Sequence, residues 1–116
     1  MVVSLSDNRE PMALREEIAD LLSLPEKGAD APSLDAIELT LTDGYAAALE
    51  LEAERLRLER RLGEVARDTG EVTAHGDVAE LAELSERIQT ADGELACLRS
   101  LLRNLQARRR VVRSAR

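Results

Sequence analysis

From Leu81 to Val112, apolar side chains return every three or four residues. With Leu81 as heptad position a, the a row reads Leu81, Ile88, Leu95, Leu102, Arg109 and the d row Leu84, Ala91, Leu98, Leu105, Val112. Nine of these ten are apolar, and a stripe that long marks a helix that lies along another helix. Residues 34–69 carry a less regular version. With Leu34 as a, the a row is Leu34, Leu41, Ala48, Arg55, Leu62 and the d row Ile37, Gly44, Leu51, Leu58, Val65, of which seven are large and apolar. The defects are Gly44, Ala48 and Arg55. The run Thr40-Leu41-Thr42-Asp43-Gly44 has low helix propensity, so the helix is expected to pause there and restart with Thr42 or Asp43 as its cap.

End signals frame both segments. Ser33 is placed as an N-cap and Gly70 as a C-terminal residue of the first. Asp77 and Glu80 have the spacing of an Asp-headed capping box for the second. Before them, Glu10 to Ser23 is a short amphipathic stretch with Leu14, Ile18, Leu21 and Leu22 on one face, Ser6 or Asp7 as cap and Pro11 in the first turn. The expected organisation is therefore an N-terminal amphipathic helix within 1–24, a breaker-rich flexible linker at 25–33, and a hairpin over 34–116. Its arms are 34–69 and 77–113 and its turn is 70–76.

Two long arms of similar length joined by a short turn lie antiparallel. Charge points the same way. From Asp35 to Glu54 there are six acids and no base; from Arg55 to Arg67, five arginines and two glutamates. From Asp77 to Glu94 there are six acids with only Arg87, and from Arg99 to Arg116 seven arginines and no acid. Folding back at Gly70 sets acid beside base along both halves. Each helix dipole favours the same gradient by about 0.3–1 kcal/mol per charge, so the dipole alone is the alternative account of it. The fold class is all-α: a long antiparallel coiled-coil hairpin with a short N-terminal helix, completed by dimerisation or a partner.

Composition strengthens this picture. Charged residues make up 34% of the chain and hydrophobic ones 44%, yet Tyr45 is the only aromatic residue. A round core leans on aromatic rings; this composition is that of long helices. A net charge of −7 disfavours nucleic acid as the default partner, because phosphate binding needs a positive surface. No apolar run reaches the ~20 residues of a bilayer span. The acidic N-terminal stretch resembles neither a secretory signal nor a transit peptide. A single cysteine, Cys97, allows no internal disulfide and fits a reducing cytoplasm. Arginine in place of lysine (Lys27 is the exception) together with abundant Ala points to a GC-rich bacterial genome.

Catalytic chemistry finds little purchase. His75 stands alone in the turn, Cys97 has no evident activating neighbour, and no phosphate loop, nucleophile motif or metal-ligand spacing occurs. No cofactor is expected, and no enzymatic activity. The informative residues are those that two helices sharing one seam leave uncovered. The hairpin seam is assigned to Leu51, Leu58, Leu62, Val65, Leu81, Leu84, Ile88, Leu95, Leu98, Leu102 and Leu105. Tyr45, Leu49, Leu56 and Leu101 fall off it, and an antiparallel alignment sets Leu101 near Tyr45, at the hairpin's open end. Each is worth about 1.5–3 kcal/mol if fully buried, so a cover is expected: the 14–22 helix folding back, a second copy making a four-helix bundle, or a helical partner. Arg55 and Arg109 on the a row either fix register or snorkel over the seam edge. Arg108, Arg109, Arg110 and Arg113 are the candidates for contact with an anion or an acidic partner, against self-neutralisation by Asp35–Glu54.

The stretch Glu83-Leu84-Ser85 followed by Asp92-Gly93-Glu94-Leu95-Ala96-Cys97-Leu98-Arg99-Ser100-Leu101-Leu102 resembles one helix of the RsiG-type anti-sigma factors. That resemblance covers about 20 residues and implies an antiparallel helical hairpin that holds a sigma factor. In that family cyclic di-GMP is read by Glu-x3-Ser-x2-Arg-x3-Gln-x3-Asp. Counted from Ser85, this chain has Leu81, Ile88, Asp92 and Ala96 at the other four places, and counted from Ser100 only Arg103 matches. No cyclic di-GMP residues carry over. The functional expectation is a regulatory protein–protein interaction module, with a structural coiled-coil scaffold as the alternative and nucleic-acid or nucleotide binding through the C-terminal arginines a distant third.

Overall fold

A computed structural model describes residues 11–69 and 75–115. Among the described residues there are three helices and no strand: α1 (Pro11–Leu22), α2 (Leu34–Thr69) and α3 (His75–Ser114). The chain divides into two compact units. One holds the described residues up to Leu49 together with those from Ala96 onward; the other is Glu50–Leu95.

Helix α2 starts where its cap predicts. The Ala36 N–H donates to Ser33 Oγ at 3.1 Å and the Ile37 N–H to the Ser33 carbonyl at 3.1 Å, which satisfies two donors the first turn leaves open. The expected pause at 40–44 does not occur: α2 is unbroken from Leu34 to Thr69. Packing overrides local propensity there. Thr40 and Leu41 are buried, and Gly44 lets Leu102 approach so closely that an added Cβ would overlap the leucine's Cδ2 and lie 3.4 Å from its Cγ. The exposed Thr42 turns its hydroxyl back onto the Glu38 carbonyl at 3.0 Å, a bond the helix tolerates. Helix α3 begins at His75, two residues before the expected start, so Asp77 lies inside the first turn and not at the cap. Gly70 and residues 71–74 of the expected 70–76 turn, like the caps proposed at Ser6 and Asp7, lie outside the described residues.

In the first unit, α1, α2 and α3 share one core. Leu14, Ile18, Ile37, Leu98 and Leu105 are essentially inaccessible, and Leu41, Ala47, Ala48 and Leu102 join them. Helix α1 ends in a tightened turn, with Ser23 N–H on the Ala19 carbonyl at 3.0 Å and Leu24 N–H on Leu21 at 3.3 Å. The connector then turns at Gly28, whose φ of 96° is the left-handed conformation that glycine adopts without cost. The Ala31 N–H closes that turn on the Gly28 carbonyl at 3.2 Å. Pro32 is buried, so the connector is packed at its far end.

The second unit is a two-helix seam. Leu58, Val65 and Leu84 are buried as one cluster, with Leu62, Leu81 and Ile88 packed against it. Leu51, Ala91 and Leu95 are buried in the same unit. These are a and d residues of both heptad registers, so each arm contributes its apolar stripe to a shared contact.

Candidate interaction surface

Two faces of α2 are consumed in the first unit. The a and d residues Ile37, Leu41 and Ala48 face the seam with α3. Thr40 and Ala47, one row to the side, are buried as well, and Thr40 shows why: its hydroxyl donates to Glu17 Oε2 of α1 at 3.0 Å. Helix α1 therefore lies on the Thr40 flank. The opposite flank stays open: Tyr45 and Leu49 remain 42% and 66% exposed, and Leu39, on the back of the helix between the two flanks, 62%. In the second unit Leu56 is 57% exposed.

On α3, Leu101 is half-buried. It precedes Arg108 by one heptad, and Arg108 marks the flank that receives α1. Its Nη1 donates to the Leu24 carbonyl at 2.9 Å and its Nη2 to the Leu22 carbonyl at 3.0 Å. Leu101 thus shares the α1 side, whereas Tyr45 and Leu49 lie on the other flank of α2. Within the first unit, then, Leu101 does not lie on the same flank as Tyr45 and Leu49. The heptad register shows that all four leave the seam; which flank α1 covers depends on Thr40, Glu17 and Arg108, and a buried threonine at a non-seam position was the available signal.

The basic end separates into two pairs. Arg108 closes the C-terminus of α1, a favourable place for a cation that can reach two free carbonyls at once. Arg109 Nε pairs with Glu38 Oε2 at 3.5 Å, which is the self-neutralising arrangement. Arg110 and Arg113 are exposed. Arg110 lines an open depression with Lys27, Val111 and Ser114.

In the second unit, ion pairs bridge the two arms. Arg61 Nε donates to Glu80 Oε2 at 3.0 Å and Arg87 Nη2 to Glu54 Oε2 at 3.3 Å. The hydrogen bond and charge of Glu80, then those of Glu64, raise the Arg61 pKa above its ordinary value. Arg55, the polar residue of the a row, reaches across the seam: its Nε sits 2.8 Å from Asp92 Oδ1, and its Nη2 3.3 Å from Glu59. That Nε makes no aligned hydrogen bond, so Arg55–Asp92 is a close ion pair without hydrogen-bond geometry. Both a-row arginines, Arg55 and Arg109, find a carboxylate on the facing helix. This pattern favours one register over its neighbours.

A shallow groove in the second unit is lined by Leu51, Leu58, Ala91 and the charged Glu54, Arg87 and Glu94. Among the described residues no cluster of His, Cys, Asp or Glu has the arrangement of a metal site, Cys97 is an exposed free thiol, and no helix is long and apolar enough to cross a membrane. The His75 side chain lies outside what the structure describes. No protein-family model, curated protein or solved structure matches the chain.

Proposed function

We propose that this chain is a non-enzymatic helical interaction module of the bacterial cytoplasm, which binds a helical protein surface through the open flank of α2. One observation carries the reading: α1 covers only one flank of α2, so Tyr45 and Leu49 keep 42% and 66% of their surface in solvent. Large apolar side chains grouped on one helix face, with acidic residues around them, are what helix-on-helix recognition uses. The most specific form of the reading is a transcriptional regulator that sequesters a sigma factor, in line with the hairpin resemblance and without a cyclic di-GMP requirement. A structural coiled-coil subunit is the second reading, favoured by the cross-arm pairs Arg55–Asp92, Arg61–Glu80 and Arg87–Glu54, which stiffen a two-helix arm.

Affinity capture with the wild-type chain and with Leu49→Asp tests the proposal. A helical protein retained by the wild type and lost by Leu49→Asp supports it, and a sigma factor in that position supports its specific form. Equal recovery with both baits refutes the α2 flank as the binding surface.

A further inference from the structure

We infer that the groove of the first unit opposite α1 takes an acidic amphipathic helix of a partner protein. The partner's apolar side chains would lie on Tyr45 and Leu49, and its carboxylates on Arg103, Arg110 and Arg113. The inference rests on the interaction-module reading and specifies the partner's chemistry.

All of these residues belong to the first unit. At about 100° per residue, Thr40 and Ala47 of α2 and Leu101 and Arg108 of α3 fall on one side of the seam, the side that α1 occupies. Tyr45 and Leu49 fall on the other side of α2, and Arg103, Gln106, Arg110 and Arg113 on the other side of α3. The two edges therefore bound a second groove. Its α2 edge is apolar, with Tyr45 and Leu49 42% and 66% exposed. Its α3 edge is basic: Arg103, Arg110 and Arg113 are exposed, whereas Arg108 and Arg109 are spent on α1 and Glu38.

This sorting of charge needs a cause. Ser100, Ala107 and Ser114 occupy the back of α3, where a solvated helix ordinarily carries its charges. The helix dipole favours cations within the last turn, yet Arg103 stands about three turns before the end of α3 at Ser114. An anionic occupant of the groove accounts for both features. The net charge of −7 repels such a partner elsewhere, so the basic edge also fixes where it lands. A nucleic-acid backbone would use the arginines and leave the exposed Leu49 without a cause.

The fold already holds a helix of this kind on the other side. Helix α1 carries Glu16, Glu17 and Asp20 against Arg15 alone. It buries Leu14 and Ile18 and is held by Thr40 at its middle and by Arg108 at its end. The open groove offers the same combination, an apolar strip beside cationic side chains. In the seam Gly44 lies against Leu102 and Glu38 against Arg109. That register sets Arg103 within a turn of Tyr45, with Arg110 and Arg113 further toward the start of α2. From Leu49 to Arg113 the groove runs about 24 Å, the length of roughly 16 helical residues.

Fluorescence anisotropy of labelled synthetic helices, titrated with the full chain, tests the assignment. The acidic probe has roughly 16 residues, a leucine face and glutamates beside it; its twin has lysine at every glutamate. The acidic probe should bind, about tenfold or more tightly than the twin, and should weaken as salt is raised. Arg103→Glu/Arg110→Glu should weaken the acidic probe about tenfold and favour the twin, with helicity unchanged because both side chains are exposed. Leu49→Asp should weaken the acidic probe about tenfold or more. No binding of the acidic probe, equal binding of the two, or undiminished binding by either variant overturns the inference. So does a short duplex DNA that displaces the acidic probe and binds the Leu49→Asp variant as tightly as the wild type, the behaviour of a phosphate site. A chain that rejects the acidic probe yet captures a helical protein through Leu49 overturns the acidic chemistry alone, whereas one that captures nothing through Leu49 also removes the interaction-module reading.

Discussion

Ile18→Ala is the sharpest probe of the first unit. Ile18 is fully buried, and it lies on α1, a helix of 12 residues. An isolated helix of that length is marginal in water, so its stability must come from docking. The substitution removes three carbon groups at about 0.8 kcal/mol each, or roughly 2.4 kcal/mol of transfer free energy. The cavity adds to this, and the total falls in the range of about 2–5 kcal/mol for such truncations. If α1 releases instead of tolerating the cavity, the loss is capped at its docking free energy, and amide exchange at 15–22 accelerates before global unfolding. Urea unfolding followed by circular dichroism gives the global loss, and hydrogen exchange resolves the local route. Val78→Ala, at a side chain 57% exposed and away from that core, is the control and should stay within about 0.5 kcal/mol. A loss below about 1 kcal/mol for Ile18→Ala, with no change in exchange at 15–22, would refute the docking of α1.

Other substitutions test the remaining contacts. Thr40→Val keeps the volume but removes the hydroxyl bonded to Glu17, and should cost about 1 kcal/mol in urea unfolding. Arg108→Met should destabilise by about 1–3 kcal/mol by leaving the Leu22 and Leu24 carbonyls without their donor; Arg108→Lys should recover less than half, because one ammonium replaces a two-pronged fork. Gly44→Ala should destabilise by about 1 kcal/mol or more although alanine is the better helix former, because overpacking against Leu102 costs about 1–3 kcal/mol. In a double-mutant cycle, Leu102→Ala should relieve that penalty. Leu95→Asp, at a buried seam position, should abolish the cooperative transition; unchanged melting would refute the heptad assignment.

The basic end of the chain shows how far composition can mislead about a site. Arg108, Arg109, Arg110 and Arg113 read alike in a linear sequence, as a cationic tail open to an anion. In the fold the first caps a helix eighty-odd residues earlier and the second answers Glu38 across the seam. Only Arg110 and Arg113 stay exposed, and they stand near the C-terminus of α3, where the helix dipole itself favours cations. Surface charge that is already neutralised intramolecularly contributes little to steering a partner.

The sequence alone determined what depends on period. Apolar residues at three- and four-residue spacing commit 34–69 and the region after 75 to long helices, and Ser33 starts the first at its expected place, because capping and helix register are set within one or two turns of chain. The seam residues were legible for the same reason: a leucine on the a or d row of a long helix has one face to bury. Tertiary structure decided three matters that no local pattern encodes. Gly44 reads as a helix breaker until Leu102 occupies the space a Cβ would need. The polarity of Thr40 marks a docking contact only once Glu17 is opposite it. The choice of flank for α1 follows from partners far apart in sequence, Thr40 with Glu17 and Arg108 with the end of α1. That choice buries one side of α2 and leaves Tyr45 and Leu49 to solvent, because a single short helix covers only one of the two grooves beside a two-helix seam.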